Sequence, residues 1–218
     1  MLFRSDRARY ARALGVAQAD LIETWAGLGE KTIEPVIRET GPVLDVVTTG
    51  DDVDLAALPI LNHFAEDGGR YVTNGIVVAK DPDTGVRNAS YHRLQVMGKT
   101  RFGTSLHSRR HLWNYAQRAA ERGEPIPVSI VIGHHPLFAF GSGLWKGPID
   151  IDEYAVAGGF MGQALELVEG VTVPVEAPAH AEFVLEGHIV PSEQADEGPF
   201  AEFRSEEHTS ELQSPDHL

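Results

Sequence analysis

YVTNGIVVAKDPDTGVRNASYHRLQVMG (residues 71–98) predicts a β-hairpin, because two alternating, β-branched runs flank a strong turn signal. The turn is DPDTG (81–85), in which the proline presets the first turn position and the glycine can take a positive φ. Arg93 stands in the middle of the second run, beside Tyr91 and His92. By itself it is typical of an edge-strand arginine that extends its charge to solvent, but such an arginine can also hold a carboxylate.

The chain around this hairpin alternates between helical and strand-like patterns. Helical spacing covers 6–32, and a strand followed by a loop is predicted over 41–61. Further helices are predicted over 110–123, ending at Gly123, and over 150–162. Four short apolar runs predict more strands, at 127–133, 164–170, 171–177 and 180–190. This order of strands with inserted helices predicts the α+β class.

The composition restricts the classes of function. The 218 residues carry a formal net charge of -14 and include no cysteine. The negative charge disfavours nucleic acid and anionic membranes as partners, because both bind clustered Lys and Arg. The lack of cysteine excludes disulfides, thiolate metal sites and cysteine nucleophiles, and it fits a cytoplasmic protein. No apolar run approaches the ~18 residues of a membrane span, so we expect neither an integral membrane segment nor a signal peptide.

Both ends of the chain differ in texture from the rest. MLFRS (1–5) and RSEEHTSELQSPDHL (204–218) resemble translations of sequencing-adapter DNA, with a natural disordered tail as the alternative interpretation. We therefore exclude both ends from the fold prediction. We expect the remainder to be a fragment of a longer gene product.

HSRRH (107–111) contains two histidines with the i, i+4 spacing of a zinc-binding helix, but the glutamate of an HExxH motif is absent. A second interpretation places a phosphate at the start of the following helix, where free backbone N–H groups lie beside Arg109, Arg110 and His111. A solvated basic face is the alternative, and the residues alone do not decide between these last two.

Three other features carry polar groups that could be functional. Asn88 and Arg93 are an odd number of residues apart, so on an ideal strand they point to opposite faces. GHHPLFAFGSG (133–143) could approach a ligand closely, but a tight connection is the better interpretation. Glu153 lies in a first helical turn, which is a common capping position.

DEGPFAE (196–202) places Glu197 and Glu202 on either side of a Gly-Pro turn. A turn can bring two carboxylates together beside an arginine, where one stays ionised and the other exchanges a proton. An acidic surface turn is the alternative interpretation.

Five segments together resemble the motifs of one known family. They are NASYHRLQVMGK (88–99), SRRH (108–111), DEYAVAGGFMGQALELVEG (152–170), APAHAEFVLEGHIVP (177–191) and DEGPFAE (196–202). In this order and at these intervals they resemble the UbiD-like family of decarboxylases, which depend on prenylated flavin mononucleotide (prenylated FMN). The resemblance implies a split β-barrel flavin-binding domain, truncated, over 71–203, preceded by a small α/β segment over 6–70.

The resemblance implies one set of residues that bind metal and cofactor. The metal would be manganese, with potassium as an additional ion, and it would hold the flavin phosphate. Its ligands would be Asn88, His111 and Glu153, which are oxygen ligands with one imidazole. The residues implied to lie along the cofactor are Asn88, Ser90, Tyr91, His92, Arg93, Ser105, Leu106, His107, Arg110 and His111.

A second implied set carries the chemistry. Arg93 would hold the substrate carboxylate, Glu197 would orient Arg93, and Glu202 would protonate the carbon left after carbon dioxide departs. Ala201 departs from the family, which usually has glycine there, and an alanine is tolerated only with a negative φ. The family also continues past this chain, with a lysine that often reaches the phosphate, which leaves open whether the fragment holds cofactor.

The implied activity is the reversible, non-oxidative decarboxylation of aromatic, heteroaromatic or α,β-unsaturated acids. One subfamily acts on a 4-hydroxy-3-polyprenylbenzoate in ubiquinone biosynthesis, and the sequence does not select among these acids. The implied partners are a small carboxylic acid, a flavin prenyltransferase that supplies the cofactor, and further copies in a full-length homo-oligomer. Two alternatives are a split-barrel flavin oxidoreductase, which uses unmodified flavin and a nicotinamide, and an inactive truncated fragment.

Overall fold

The computed structural model describes residues 6–28, 31–106, 110–144 and 147–201. Both adapter-like ends lie outside these residues, as do His107 and Glu202. The described helices are α1 (Arg7–Leu14), α2 (Leu21–Leu28), α3 (His111–Arg122), α4 (Pro136–Ala139) and α5 (Glu153–Met161). The described strands are β1 (Val36–Arg38), β2 (Tyr71–Val72), β3 (Ile76–Lys80), β4 (Arg87–Tyr91), β5 (Leu94–Val96), β6 (Phe102–Thr104), β7 (Ile126–Ile132), β8 (Glu166–Val168), β9 (Ala177–Pro178) and β10 (Phe183–Ile189).

The described residues form two compact units that are interleaved along the chain. The first unit comprises residues up to 48, residues 73–92 and residues 106–194. The second unit comprises residues 49–72, residues 93–105 and the residues after 194. The boundary predicted after residue 70 rests on a change in the residue pattern, and it stays a prediction.

The main sheet of the first unit has the strand order β10-β7-β3-β4 and is antiparallel throughout. The predicted hairpin is confirmed at its centre, where β3 pairs with β4 around a turn that contains Gly85 at φ 75°. At the predicted ends β2 and β5 also pair antiparallel with each other, as the hairpin predicts, but they belong to a different sheet, so the pairing is not one continuous ladder. The hairpin places Asn88 opposite Ala79, on the outermost strand β4.

A smaller mixed sheet, β1-β8-β9, completes the strands of the first unit. The core of the first unit contains side chains from β3, β4, β7, β8, α4 and α5, together with parts of the connecting loops. The buried residues of this cluster are Ile76, Val78, Ala89, Val131, Phe138, Tyr154, Ala157, Leu165, Leu167, Val173, Val175 and Ala181. The sheet and the helix therefore share one apolar core, which fixes the start of α5 relative to β4.

Helix α5 is buried along almost its whole length, which explains its run of small residues. A Cβ atom on Gly159 would lie 1.8 Å from the carbonyl oxygen of Lys31. One on Gly158 would lie 2.5 Å from the carbonyl oxygen of Ile33. The Gly-Gly pair therefore lets the extended segment before β1 run directly against the helix, where Ile33 N donates to Ala155 O at 2.9 Å.

The other predicted elements agree with the structure in part. The helical pattern over 6–32 is two helices, because Gly15 ends α1 at φ 69°. The helix predicted over 110–123 is confirmed as α3. The strand predicted within 41–61 is wrong, since Pro42–Leu44 begins a series of short 3₁₀ turns, with proline at the first helical position.

Two further predicted segments differ in detail. The connection predicted over 133–143 is itself helical: it contains α4 and continues into a π-helical turn, Phe140–Leu144. Of the strand predicted over 171–177, only the final residue enters β9.

The second unit contains the antiparallel sheet β2-β5-β6. The backbone of the segment after residue 194 is tied to this unit by hydrogen bonds to backbone and side-chain groups. Gly68 N donates to Pro199 O at 2.6 Å, and Ala201 N donates to Asp67 Oδ1 at 2.9 Å. Gly198 N donates to Gln95 Oε1 at 2.9 Å.

The α+β class is confirmed, since helices and largely antiparallel sheets are both present. The split barrel stays a prediction: none of the three sheets in the described residues closes on itself. None of the described helices has the length and apolar character needed to cross a membrane.

Candidate active site

Three side chains from distant parts of the sequence meet in the first unit. Asn88 Nδ2 lies 2.9 Å from Glu153 Oε1 and 3.4 Å from His111 Nδ1. His111 Nδ1 lies 3.6 Å from the same Glu153 oxygen. Asn88 and Glu153 are only 5% and 3% exposed. The structure thus brings together all three residues that the resemblance implies as metal ligands.

Each member of this triad (Asn88, His111 and Glu153) has its position set by a secondary-structure element. Asn88 is the second residue of β4, and His111 and Glu153 are the first residues of α3 and α5. The interpretation of Glu153 as a capping residue is wrong, because Asp152 is the N-cap and accepts from Tyr154 N at 2.8 Å. The Glu153 side chain is therefore directed elsewhere, and its Oε2 accepts from Ala89 N at 3.3 Å.

The electrostatics of the triad favour a bound cation. Burial raises the pKa of Glu153 to about 7, although hydrogen bonds from Asn88 and Ala89 oppose this rise. Burial lowers the pKa of His111. In the described part of the chain, no Lys or Arg side chain forms a salt bridge with Glu153. A divalent cation would supply the missing positive charge.

The donor set fits a hard divalent cation. It offers a carboxylate, an imidazole and an amide, and rotation of the Asn88 amide would present its oxygen to the same position. A site made wholly of histidine and acidic ligands is not found, since no group of three His, Cys, Asp or Glu converges among the described residues. The zinc interpretation of HSRRH depends on His107, which lies outside those residues, and it stays a prediction.

The residues after Asn88 continue a polar row along the end of β4. Ser90 Oγ lies 3.2 Å from Asn88 Oδ1 and 2.9 Å from His92 Nε2. His92 is 5% exposed. Tyr91 packs so closely on Gly143 that a Cβ atom there would lie 2.4 Å from the ring, and burial raises the pKa of Tyr91 to about 12.

The other residues implied to line the cofactor lie near the start of α3 or in the second unit. Arg110 is the N-cap of α3 and has no side-chain cap hydrogen bond. Leu106 is partly buried in the first unit, and Ser105 is partly buried in the second. His107 and Arg109 lie outside the described residues, so their proposed contacts stay predictions.

Arg93 and Glu197 form a bidentate ion pair in the second unit. Arg93 Nε and Nη2 donate to Glu197 Oε1 and Oε2 at 2.9 and 2.7 Å. The side chains are 29% and 9% exposed. Arg93 Cζ also lies 5.4 Å from the centre of the Phe200 ring, and the Arg93 carbonyl accepts from Thr104 Oγ1 at 3.0 Å. The interpretation of Arg93 as a solvent-directed arginine is therefore wrong, and so is that of Glu197 as part of an acidic surface turn.

The third member of the implied Glu–Arg–Glu network, Glu202, lies outside the described residues. The structure therefore joins Arg93 to Glu197, and the place of Glu202 stays a prediction. Ala201, where the family usually has glycine, has no positive φ, so its methyl group is tolerated.

A comparison with family models decides the relationship. Residues 34–215 match the model described as UbiD, the 3-octaprenyl-4-hydroxybenzoate carboxy-lyase Rift-related domain. The chain belongs to the UbiD family. The resemblance drawn from its motifs is thereby confirmed.

Relatives and solved structures agree with this UbiD assignment. A protein from the cooM 5′ region of Rhodospirillum rubrum is 46% identical over 172 residues, which cover 78% of this chain and 37% of that protein. An anhydromevalonate phosphate decarboxylase from Methanothermobacter thermautotrophicus is 46% identical over 151 residues, covering 68% of this chain and 34% of the relative.

A solved UbiD-class structure is also similar. An evolved dimeric form of HmfF from Pelotomaculum thermopropionicum, in complex with prenylated FMN, aligns with a TM-score of 0.86 and 38% identity. The alignment covers 91% of this chain and 46% of HmfF. The UbiD chain described here thus spans less than half the length of each of these relatives.

Sequence reasoning missed several polar and aromatic residues beside the UbiD motif positions. Arg87, Asp152 and Glu176 form a partly buried ionic cluster next to the triad, and the only signal was that charged residues directly precede Asn88 and Glu153. Tyr71 was also missed. It is 2% exposed, and burial and the neighbouring Glu197 carboxylate raise its pKa to about 12.

Proposed function

We propose that this chain is the metal- and flavin-binding part of a UbiD-family carboxy-lyase that uses prenylated FMN and Mn²⁺. The reaction would remove carbon dioxide, reversibly and without oxidation, from an aromatic or α,β-unsaturated acid. The bidentate pair of Arg93 and Glu197 is the observation that carries the proposal. A flavin oxidoreductase that transfers hydride has no need for an arginine fixed in this way by a carboxylate.

The chain's own residues would divide the work. Asn88, His111 and Glu153 would hold the cation, which would hold the cofactor phosphate. Arg93 would bind the substrate carboxylate through a charge-assisted pair of hydrogen bonds, while Glu197 keeps the guanidinium in one orientation.

The second half of the reaction needs a proton. Glu202 would deliver it to the carbon from which carbon dioxide has left, which is a contribution of typically ~10²–10⁴-fold for a positioned acid. Prenylated FMN would supply the electron sink when bound. Potassium as an additional ion, cofactor supply by a flavin prenyltransferase, a cytoplasmic location and homo-oligomerisation of the full-length protein belong to the same proposal.

Reconstitution tests the proposal directly. The chain would be produced together with a flavin prenyltransferase, purified with Mn²⁺, and given a panel of acids while released carbon dioxide is measured. The panel contains anhydromevalonate phosphate, because a 46%-identical relative is named for that decarboxylation, as well as polyprenylated 4-hydroxybenzoate and simpler aromatic acids.

The outcomes separate the three hypotheses. Carbon dioxide from at least one acid, lost in Arg93→Met although the flavin spectrum persists, supports the carboxy-lyase. Unmodified FMN bound together with nicotinamide oxidation supports the oxidoreductase. A chain that gains no thermal stability from Mn²⁺ and flavin is the inactive fragment, since any ligand that binds the folded state stabilises it.

A further inference from the structure

A partly buried ionic cluster lies one residue away from two members of the candidate metal triad. Arg87 Nε and Nη2 donate to Asp152 Oδ2 at 2.8 and 2.6 Å. Arg87 Nη1 donates to Glu176 Oε2 at 3.1 Å, and Lys80 Nζ donates to Glu176 Oε1 at 2.6 Å. We call these four residues the Arg87 cluster.

The cluster joins the two elements that carry Asn88 and Glu153. Arg87 directly precedes Asn88 on β4, and the two side chains leave the strand on opposite faces. Asp152 directly precedes Glu153 and uses both carboxylate oxygens: Oδ1 caps α5 and Oδ2 accepts from Arg87. The start of α5 is therefore tied to β4 on one side by this ion pair, and on the other side by the contact between Asn88 and Glu153.

The cluster does not supply the positive charge that Glu153 lacks. Its two cations, Lys80 and Arg87, face two carboxylates, Asp152 and Glu176, so its formal charge is zero. The Arg87 side chain is 15% exposed and the Asp152 side chain 20% exposed, so solvent does little to replace their hydrogen bonds. The cluster would therefore act on the triad by holding its side chains in place, and not by adding a net charge beside them.

We infer that the Arg87 cluster positions the candidate metal ligands, by fixing the separation between Asn88 and Glu153 and so setting the affinity for a divalent cation. This inference rests on the proposed function. No member of the cluster would touch the cation. Residues that hold metal ligands in place commonly change metal affinity by about 10–100-fold when they are altered.

Electron paramagnetic resonance can measure Mn²⁺ binding to the chain at pH 8, and this tests the inference without catalysis. We expect Arg87→Met and Asp152→Asn to raise the Kd for Mn²⁺ by about 10-fold or more. Asp152→Asn is informative because asparagine still caps a helix, so it removes the ion pair and leaves the cap. Arg87→Lys keeps the charge but loses the paired hydrogen bonds that the guanidinium donates to Asp152. We therefore expect an intermediate Kd and an altered spectrum of the bound ion.

Arg38→Met is the matched control. Arg38 pairs with Glu166 at 2.6 Å, but the two side chains are 54% and 36% exposed, on a different sheet from Asn88. We expect its Kd to stay within about twofold of the wild-type value, with an unchanged spectrum.

Failure of the inference differs from failure of the proposed function. A wild-type chain that binds no Mn²⁺ contradicts the metal site itself. A wild-type chain that binds Mn²⁺, with Arg87→Lys and Asp152→Asn binding as tightly and giving the same spectrum, overturns the positioning role. Circular dichroism identifies any variant that fails to fold, and the two conservative variants then decide the outcome in place of Arg87→Met.

Discussion

Two regions of this molecule place a buried carboxylate in opposite settings. In the first unit, Glu153 has an amide, an imidazole and a backbone N–H as neighbours, and it has no salt bridge to Lys or Arg among the described residues. In the second unit, Glu197 shares two hydrogen bonds with Arg93. Both side chains are largely removed from solvent, with side-chain exposures of 5% and 9%.

The difference shows how one kind of side chain serves two purposes. A buried carboxylate without a cation is costly when ionised, so its site gains most from an ion that arrives from solution. A carboxylate that is already paired contributes by fixing the orientation of its arginine, as Glu197 does for Arg93. The first region is suited to bind a cation from solution, and the second already contains its own.

Removing the carboxylate of Glu153 should give the largest effect. We expect Glu153→Gln to weaken Mn²⁺ binding roughly 1,000-fold, equivalent to about 4 kcal/mol, because it removes the only charged ligand of the triad. Isothermal titration calorimetry at pH 8 measures this.

Glu166→Gln is the control, since Glu166 is an exposed partner of Arg38 on another sheet, and its Kd should stay within about twofold. Equal Mn²⁺ binding by the wild type and Glu153→Gln would break the first half of the comparison.

The second-largest expected effect is the pH dependence that Glu153 gives to the stability of the metal-free chain. The pKa of Glu153 is raised to about 7, so between its ordinary value of 4.5 and 7 the folded chain keeps a proton that the unfolded chain releases. The proton on Glu153 therefore contributes fully to the free energy of unfolding below about pH 4.5. This contribution is lost as pH rises to about 7, a change of about 3 kcal/mol. Denaturant unfolding of the metal-free chain from pH 5 to 8 measures it.

Glu153→Gln isolates this contribution, because glutamine does not titrate. We expect the metal-free variant to become more stable than the wild type as pH rises. Mn²⁺ at a concentration that saturates the wild type should reverse that order, because the variant binds the ion far more weakly. Parallel pH profiles for the two proteins would show that Glu153 is not a protonated, buried acid.

Breaking the pair of Arg93 and Glu197 should destabilise the chain, whereas Glu153→Gln should stabilise the metal-free chain at high pH. Arg93→Met leaves the Glu197 carboxylate 9% exposed and without its arginine, so we expect a loss of about 2 kcal/mol in the free energy of unfolding. This is less than for a fully buried pair because the Arg93 side chain is 29% exposed.

A double-mutant cycle separates the pair from simple truncation. Arg93→Met combined with Glu197→Gln should recover part of the lost stability, because the charge of Glu197 is removed together with that of its arginine. A cycle with no coupling would mean that the two groups act independently, contrary to the bidentate geometry.

Local elements could be predicted wherever one residue type fixes the backbone. Gly85 and Gly123 have φ of 75° and 68°, and they end the hairpin turn and α3 where the sequence predicts. The division between β4 and β5 could not be predicted, because the alternating pattern runs on through His92 and Arg93 although the chain changes sheets there. Periodicity reports which faces are buried but not which strand is the partner.

The candidate site shows the same limit. Asn88 and Glu153 are 65 residues apart and no local pattern joins them, so their meeting was expected only from the family resemblance. Arg87 and Asp152 are equally distant, and both look like ordinary surface charges in the sequence. Contacts of this kind depend on how β4 and α5 pack, and that packing is specified by a core spread over the whole first unit.

The smallest expected effect concerns the ring that faces Arg93. Arg93 Cζ lies 5.4 Å from the Phe200 ring centre, and the Phe200 and Tyr71 rings lie 4.4 Å apart. Phe200→Leu keeps an apolar side chain but removes the cation–π contact, so we expect a loss of about 1 kcal/mol in denaturant unfolding. Phe64→Leu is the control in the same unit, because Phe64 is 54% exposed and should change stability by less than about 0.5 kcal/mol. If the Phe200 effect persists in an Arg93→Met background, the ring stabilises the unit by packing alone and not through its contact with the guanidinium.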